Sequence, residues 1–247
     1  MLPPYVPTLR VLTPFGMCVG VHLPEGGRPD DVAGVTERLW PEERALLADL
    51  PAARARTFAG GRLALRAALA EAGLSCNAPI LRGAAGEPLL PPHLWGSVSH
   101  KDQVAVALVA PAVTGCLGGL GVDVEVLTPG HVDISRRILR PEERAALAGC
   151  EAEERQRQAR LAFSVKEALY KAGFPLVRRF FGFHEAALDL PITFAPERFV
   201  SVGARLFPGG QDLEAQVEAA AVPWSTWVVS VARVFGNAGK SSSYKDL

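Results

Sequence analysis

Two acids stand two residues apart in Gly121-Val-Asp123-Val-Glu125-Val-Leu127, a stretch in which apolar and acidic residues alternate. Alternate side chains of an extended strand share one face, so Asp123 and Glu125 are predicted to project together while Val122, Val124 and Val126 turn to the other side. Carboxylates held that close repel each other unless protons or a cation lie between them. All-oxygen ligands of this kind suit Mg²⁺, which takes one or two carboxylates and completes its shell with water and substrate phosphate. A plain amphipathic strand with a solvated acidic face has the same pattern, and the strand alone leaves both readings open.

A second group follows in Phe163-Ser-Val-Lys166-Glu167-Ala-Leu-Tyr-Lys171-Ala172, with Glu167 forty-two residues after Glu125 (167 − 125 = 42). Helical spacing puts Phe163, Glu167 and Lys171 on one face, and Ala162, Val165, Ala168, Leu169 and Ala172 on the packing surface. A Glu four residues before a Lys is also an ordinary surface ion pair, worth roughly a few tenths of a kcal/mol. The chain has only five Lys among its 26 basic residues. Two of the five lie in this one segment, which hints at a task that needs a compact ammonium.

Two further segments could hold phosphate. Gly96-Ser-Val-Ser99-His100-Lys101-Asp102 brings hydroxyls and an imidazole to the entrance of a predicted strand, Val104–Val109. A Ser-His hydrolase is a poor reading, because adjacent residues diverge on a strand and no G-x-S-x-G elbow exists. Arg54, Arg62 and Arg66 follow at spacings of eight and four. Such a row of guanidiniums serves a phosphorylated ligand, or equally the solvated side of a helix. Walker A, G-x-G-x-x-G and H-E-x-x-H patterns are absent.

The elements that must position these residues are short. One or two strands are expected before residue 35, then a helix opening at Pro41 and a second carrying Phe58, Leu63, Leu65 and Leu69, with Pro51 between them. Residues 77–96 are rich in Pro and Gly and read as turns. Pro41-Glu-Glu-Arg-Ala-Leu-Leu-Ala48 recurs as Pro141-Glu-Glu-Arg-Ala-Ala-Leu-Ala148. Phe58–Ala67 can also be laid over Phe163–Ala172, which would set Arg62 and Arg66 in the places of Glu167 and Lys171. The recurrence predicts an internal duplication, with Thr226–Phe235 as the counterpart of Val104–Val109. The expected class is α+β: two similar halves related by pseudo-twofold symmetry, each a small, mostly antiparallel sheet packed with helices. The halves are placed at 1–118 and 119–235, and residues 236–247 are expected to be a disordered tail.

Composition bounds the function classes. Basic and acidic residues balance at 26 each, so no bulk field advertises nucleic acid or an anionic membrane. No apolar run reaches the length of a membrane span, and the start lacks signal-peptide character. Cys18, Cys76, Cys116 and Cys150 are scattered without zinc spacing, as for reduced, mostly buried thiols. Cytoplasm is the expected location.

Taken in order, these motifs resemble the 4′-phosphopantetheinyl transferases of the long, surfactin-activator or enterobactin-synthetase type. Gly121–Glu125 is similar to that family's G-[IV]-D-[IVL]-E, and Phe163–Lys171 to its [WF]-x-x-K-E-[AS]-x-x-K. Gly86-Glu87-Pro88 and Ser97-Val-Ser99-His100 look like its G-x-P…S-x-S-H segment. Arg54 with Gly61-Arg62 resembles the R…GR helix of the enterobactin branch. Likeness covers about residues 40–175; Phe163 stands where many relatives have Trp, and only Arg occurs at 40–60 where some relatives use Lys.

The resemblance implies transfer of the 4′-phosphopantetheine arm of coenzyme A to a serine of an apo acyl, peptidyl or aryl carrier protein, with release of adenosine 3′,5′-bisphosphate. Asp123, Glu125 and Glu167 would hold Mg²⁺, with Mn²⁺ as an alternative. Lys171 would steady the leaving phosphate. Arg54, Arg62 and His100 would take the 3′-phosphate end, and Glu87, Pro88 and Ser99 the adenine side. The serine's base falls on Glu143, unless Glu167 or a metal-bound water serves. The short branch of the family forms trimers of half-size subunits, so a duplicated chain is expected to act as a monomer. Competing readings are a Mg²⁺-dependent phosphohydrolase on a nucleotide-like substrate and a non-catalytic module that binds carrier proteins. Arg178-Arg179-Phe180-Phe181 is a candidate surface for an acidic carrier.

Overall fold

The computed structural model describes residues 4–25, 34–128, 132–194 and 198–237. The chain divides into two compact units, Met1–Ala112 and Val113–Leu247. The break falls six residues before the expected 118/119 (118 − 112 = 6). Cys116–Leu120, with its two glycines, does not alternate in polarity, yet it forms the first part of a long strand.

In the first unit, β1 (Pro7–Thr13) and β2 (Gly16–His22) form a hairpin whose turn is closed by the Thr13 hydroxyl, which accepts from the Phe15 and Gly16 N–H groups. A short helix α1 (Pro41–Ala48) leads into α2 (Ala52–Glu71), with Pro41 at its first turn and Pro51 at the N-cap of α2. Then come β3 (Leu94–Lys101) and β4 (Val104–Pro111), in an antiparallel sheet of order β1-β2-β4-β3. The Ser97–His100 segment is therefore itself a strand, not the entrance to one. Helix α2 covers one face, where Ala59, Ala64, Leu65, Ala68 and Leu69 meet Val19, Val21, Ala105, Ala107 and Val109.

The second unit opens with β5 (Cys116–Val126) and continues through α3 (Ser135–Ile138), α4 (Pro141–Ala146) and the 26-residue α5 (Ala152–Val177). A small ladder joins β6 (Ala186–Leu188) to β8 (Ala204–Leu206). The main antiparallel sheet has the order β5-β10-β9-β7, from β7 (Val200–Val202), β9 (Gln216–Trp224) and β10 (Trp227–Asn237). The Val122 and Val124 side chains are fully buried, as alternation predicts. Of the expected tail, Gly236 and Asn237 belong to β10, and 238–247 lie outside the described residues.

The duplication has a simpler register than expected. Helices α2 and α5 begin at Ala52 and Ala152, so one offset of 100 carries Pro41 to Pro141 and α2 onto α5. Burial follows the same offset: Ala59 and Ala159, Ala64 and Ser164, Leu65 and Val165, Ala68 and Ala168, Leu69 and Leu169 are all enclosed. Arg62 thus corresponds to Ala162 and Arg66 to Lys166. The five-residue shift that matched Arg62 and Arg66 with Glu167 and Lys171 is corrected, because it would rotate the apolar face of one helix away from its sheet.

Helix α5 presses unusually close to β5. A Cβ on Gly121 would fall 1.7 Å from the Ala168 carbonyl oxygen, and one on Gly119 would fall 2.9 Å from Pro175 Cγ. Neither neighbour is the free end of a flexible side chain, so only a residue without Cβ fits at 121. Gly121→Ala is expected to destabilise the fold by about 3 kcal/mol, the upper range for overpacking. Chemical denaturation measures this; an unchanged midpoint would mean that the helix and strand can part freely.

Candidate functional site

The close approach at Gly121 sets Asp123, two residues on and on the same face of β5, against α5. Lys171 reaches across from the helix: its ammonium donates to Asp123 Oδ1 at 2.9 Å and to the Val122 carbonyl at 2.8 Å. Asp123 is buried, whereas Glu125, Glu167 and Lys171 are each half-buried. The two sequence motifs, forty-two residues apart, are therefore joined by one ion pair.

Glu167 completes the group electrostatically. Burial raises its carboxyl above the ordinary 4.5; the Lys171 ammonium opposes this, and the charges of Asp123 and Glu125 add to it. Three carboxylates that feel one another in this way, with the Lys171 ammonium beside them, fit a divalent cation in donor chemistry. Among the described residues no three His, Cys, Asp or Glu side chains converge as a ready cage. Mg²⁺ does not require one, because it keeps several waters and takes ligands from substrate phosphate.

Beside Glu167 lies a cavity of about 120 Å³ lined by Lys166, Glu167, Tyr170, Phe180, Phe181 and Phe183, among others. Tyr170 packs against Phe180 and Phe181 with ring centroids 5.5 and 5.1 Å apart. Phe180 is 73% exposed and Arg178 is exposed beside it. Of the Arg178–Phe181 segment, Phe180 and Phe181 are thus a wall of this cavity, a role its composition alone does not reveal.

The phosphate candidates gather in the first unit. Arg54, Arg62, Ser99 and His100 line one cavity of about 460 Å³, together with Phe58, Arg82 and Gly86. Arg62 is nearly enclosed: it donates to the Ile80 and Leu81 carbonyls, stacks on Phe58, and is pushed down to about 10 chiefly by burial. Glu87 and Pro88 do not line this cavity. Glu87 shapes the turn beside it by accepting from the Ala85 N–H, and Pro88 bridges Arg82. Arg82 escaped the sequence reading because it stands alone in a turn, off the helical spacing of Arg54 and Arg62.

Glu143, expected as the base, is enclosed among donors. It is 3% exposed, and its oxygens accept from the Arg140 and Leu188 N–H groups and from Lys166, each at 2.7 Å. The Lys166 ammonium, which burial lowers in proton affinity, also donates to the Ile138 carbonyl at 3.0 Å. Glu43 does the same in the first unit, accepting from the Trp40 and Ile80 N–H groups and from Arg66. The repeated Pro-Glu-Glu-Arg signals this network, but only the tertiary contacts say what it binds.

Comparison with known proteins gives one consistent family. Residues 42–110 match the family model of the 4′-phosphopantetheinyl transferase N-terminal domain, and residues 119–232 match that of the 4′-phosphopantetheinyl transferase superfamily. The chain is similar to the 4′-phosphopantetheinyl transferase Svp of Streptomyces mobaraensis, at 36% identity over 65% of this chain and 63% of that one. It is 36% identical to the 4′-phosphopantetheinyl transferase PptT of Mycobacterium tuberculosis, over 65% of this chain and 70% of that one. Enterobactin synthase component D of Escherichia coli O157:H7 is 31% identical over 54% of this chain and 62% of that one. The match thus spans roughly two thirds of these curated relatives.

The raised Glu167 has a pH consequence. Its folded carboxyl holds a proton to higher pH than the unfolded one, so its contribution to stability falls as pH rises from 4.5 through the folded value. Metal-free Glu167→Gln is therefore expected to melt above the parent at about pH 7 and to lose that advantage below about pH 4.5. Calorimetric melts across this range check it; a Gln variant that gains relative stability on acidification would contradict the assignment.

Proposed function

Because the chain belongs to the 4′-phosphopantetheinyl transferase superfamily, we propose that it moves the 4′-phosphopantetheine arm of coenzyme A to a serine of an apo carrier protein. The carrier serine oxygen forms a bond to the pantetheine-side phosphorus of the pyrophosphate. The bond from that phosphorus to the bridging oxygen breaks, adenosine 3′,5′-bisphosphate leaves with the electron pair, and the serine proton is released to a base or to solvent. The observation that carries the reading is the Lys171–Asp123 pair, which brings the acidic strand and the Lys-Glu helix to one place.

Asp123, Glu125 and Glu167 would hold a divalent cation, Mg²⁺ or Mn²⁺, which when bound neutralises the pyrophosphate charge. Lys171 shares Asp123 with it. The ammonium has movable donors and turns to the leaving phosphate, offsetting the negative charge that develops there. The cavity beside Glu167 suits the uncharged part of the pantetheine arm along its aromatic side, where Tyr170, Phe180, Phe181 and Phe183 line it. In the first unit, Arg54, Arg62, Arg82 and His100 form a cationic and polar cavity suited to the 3′-phosphate end. Of these, Arg54 and Arg82 are the free hands; Arg62 has already spent donors on backbone carbonyls.

The test is incubation with coenzyme A, Mg²⁺ and a panel of apo carriers from fatty-acid, polyketide and peptide synthesis, read by intact mass. Gain of the pantetheine arm on a carrier is expected. Release of product from coenzyme A without carrier modification would favour a phosphohydrolase, and carrier binding without any chemistry would favour a docking module. Asp123→Ala and Glu167→Ala are each expected to abolish transfer at any Mg²⁺ concentration; full activity in either would remove the metal assignment. Arg82→Ala is expected to raise the KM for coenzyme A by about tenfold, the loss of one charge-assisted contact. Dephospho-coenzyme A should show no such difference between the parent and this variant.

A further inference from the structure

The same carboxylate network stands in both units, and only one unit carries the acidic strand. Glu43 and Glu143 each lie at the third position of a Pro-headed helix. Each accepts from the N–H at the helix cap, from a backbone N–H of a later segment, and from a cation on the long helix. The cation is Arg66 in one unit and Lys166 in the other. The strand of the first unit that pairs in a like manner is β2, which lies against β4 as β5 lies against β10, and it has no acidic residue. Among the described strands of the first unit none carries an acid, so the shared device does not by itself mark a proton-transfer site.

What differs between the units is the neighbour of the cation. Position 67, next to Arg66, is Ala; position 167, next to Lys166, is Glu. Adjacent residues on a helix diverge by about 100°, yet Lys166 and Glu167 both line the aromatic cavity. The Lys166 side chain is only 1% exposed and is turned inward, to Glu143 and the Ile138 carbonyl. The remaining carboxylate on its cavity side is Glu167.

We propose that Glu143 is a positioning residue, not the base: it holds the Lys166 ammonium away from Glu167 and so keeps Glu167 available to a divalent cation. The proposal rests on the transferase reading for its consequence in catalysis, but its physical claim concerns metal binding alone. Without the Glu143 charge, a buried ammonium cannot stay where it is. A lysine stem is long and flexible, and the carboxylate that lines the same cavity is Glu167. An ammonium paired there competes with the cation for the same oxygens. Because Glu143 also joins α4 to α5 and β6, the melting temperature is read beside the metal affinity.

Mn²⁺ alone, titrated calorimetrically into the full chain, tests this. Glu143→Gln keeps the side-chain shape and is expected to weaken Mn²⁺ binding by about tenfold, the lower range for a residue that orients a ligand. Adding Lys166→Met in the same chain removes the competitor and should restore Mn²⁺ affinity to within about twofold, even though the double variant lacks the ion pair. A base role predicts the reverse: unchanged Mn²⁺ affinity in Glu143→Gln, transfer lost at every metal concentration, and no rescue by Lys166→Met. A role confined to the fold predicts a lower melting temperature with no change in Mn²⁺ affinity. Either result overturns the proposal. Should Glu143→Gln fail to fold, Glu143→Asp takes its place: weakened Mn²⁺ binding that Lys166→Met restores is expected, and unchanged binding overturns the proposal. Wild-type protein that binds Mn²⁺ but modifies no carrier would sink the transferase reading and leave this test standing.

Discussion

A buried carboxylate at the third position of a short helix ties each unit together. Glu43 and Glu143 are enclosed acids, which is costly unless every lone pair finds a donor. Both solve this in the same way, with two backbone N–H groups and one cation from the long helix. The arrangement fixes where α1 meets α2 and the Ile80 segment, and where α4 meets α5 and β6. Arg44 and Arg144 add a return bond to the Leu39 and Leu139 carbonyls, so the repeated Pro-Glu-Glu-Arg is a complete local device.

On that frame the second unit places its chemistry through one close approach. With no Cβ at Gly121, the α5 backbone lies almost on β5, and side chains on both elements reach a common space. Lys171 crosses to Asp123 and screens one of three acids; Glu167 remains raised by burial and by its neighbours. On the proposed reading a divalent cation would bring further positive charge to these acids. The first unit instead gathers three guanidiniums at one cavity.

Much of this was legible in the residues. Alternation around Asp123 and Glu125 announced the strand and its acidic face, and spacing of three and four announced the face of α5 that packs. Local signals of this kind depend only on backbone period and on Pro or Gly chemistry, which a sequence carries directly. Ser97–His100 was misjudged as a strand entrance because its small polar residues lack the alternation that β-branched residues show. The register of the duplication was misjudged because chemically similar residues, Arg and Lys, recur at more than one offset. Burial settled it, and burial belongs to the packed helix and not to the chain order.

The sequence by itself determined the motifs, the family they resemble and the elements that carry them, because residue type and period are written in the chain. Only the tertiary structure decided which acid is sealed and which borders a cavity. Glu143 and Glu167 are equally acidic on paper, and each stands near a lysine. One is sealed among three donors, while the other borders a cavity and shares its space with two further carboxylates. The difference arises from long-range contacts with Leu188, Lys166 and β5. Such contacts depend on how helices and strands meet, which no local spacing encodes.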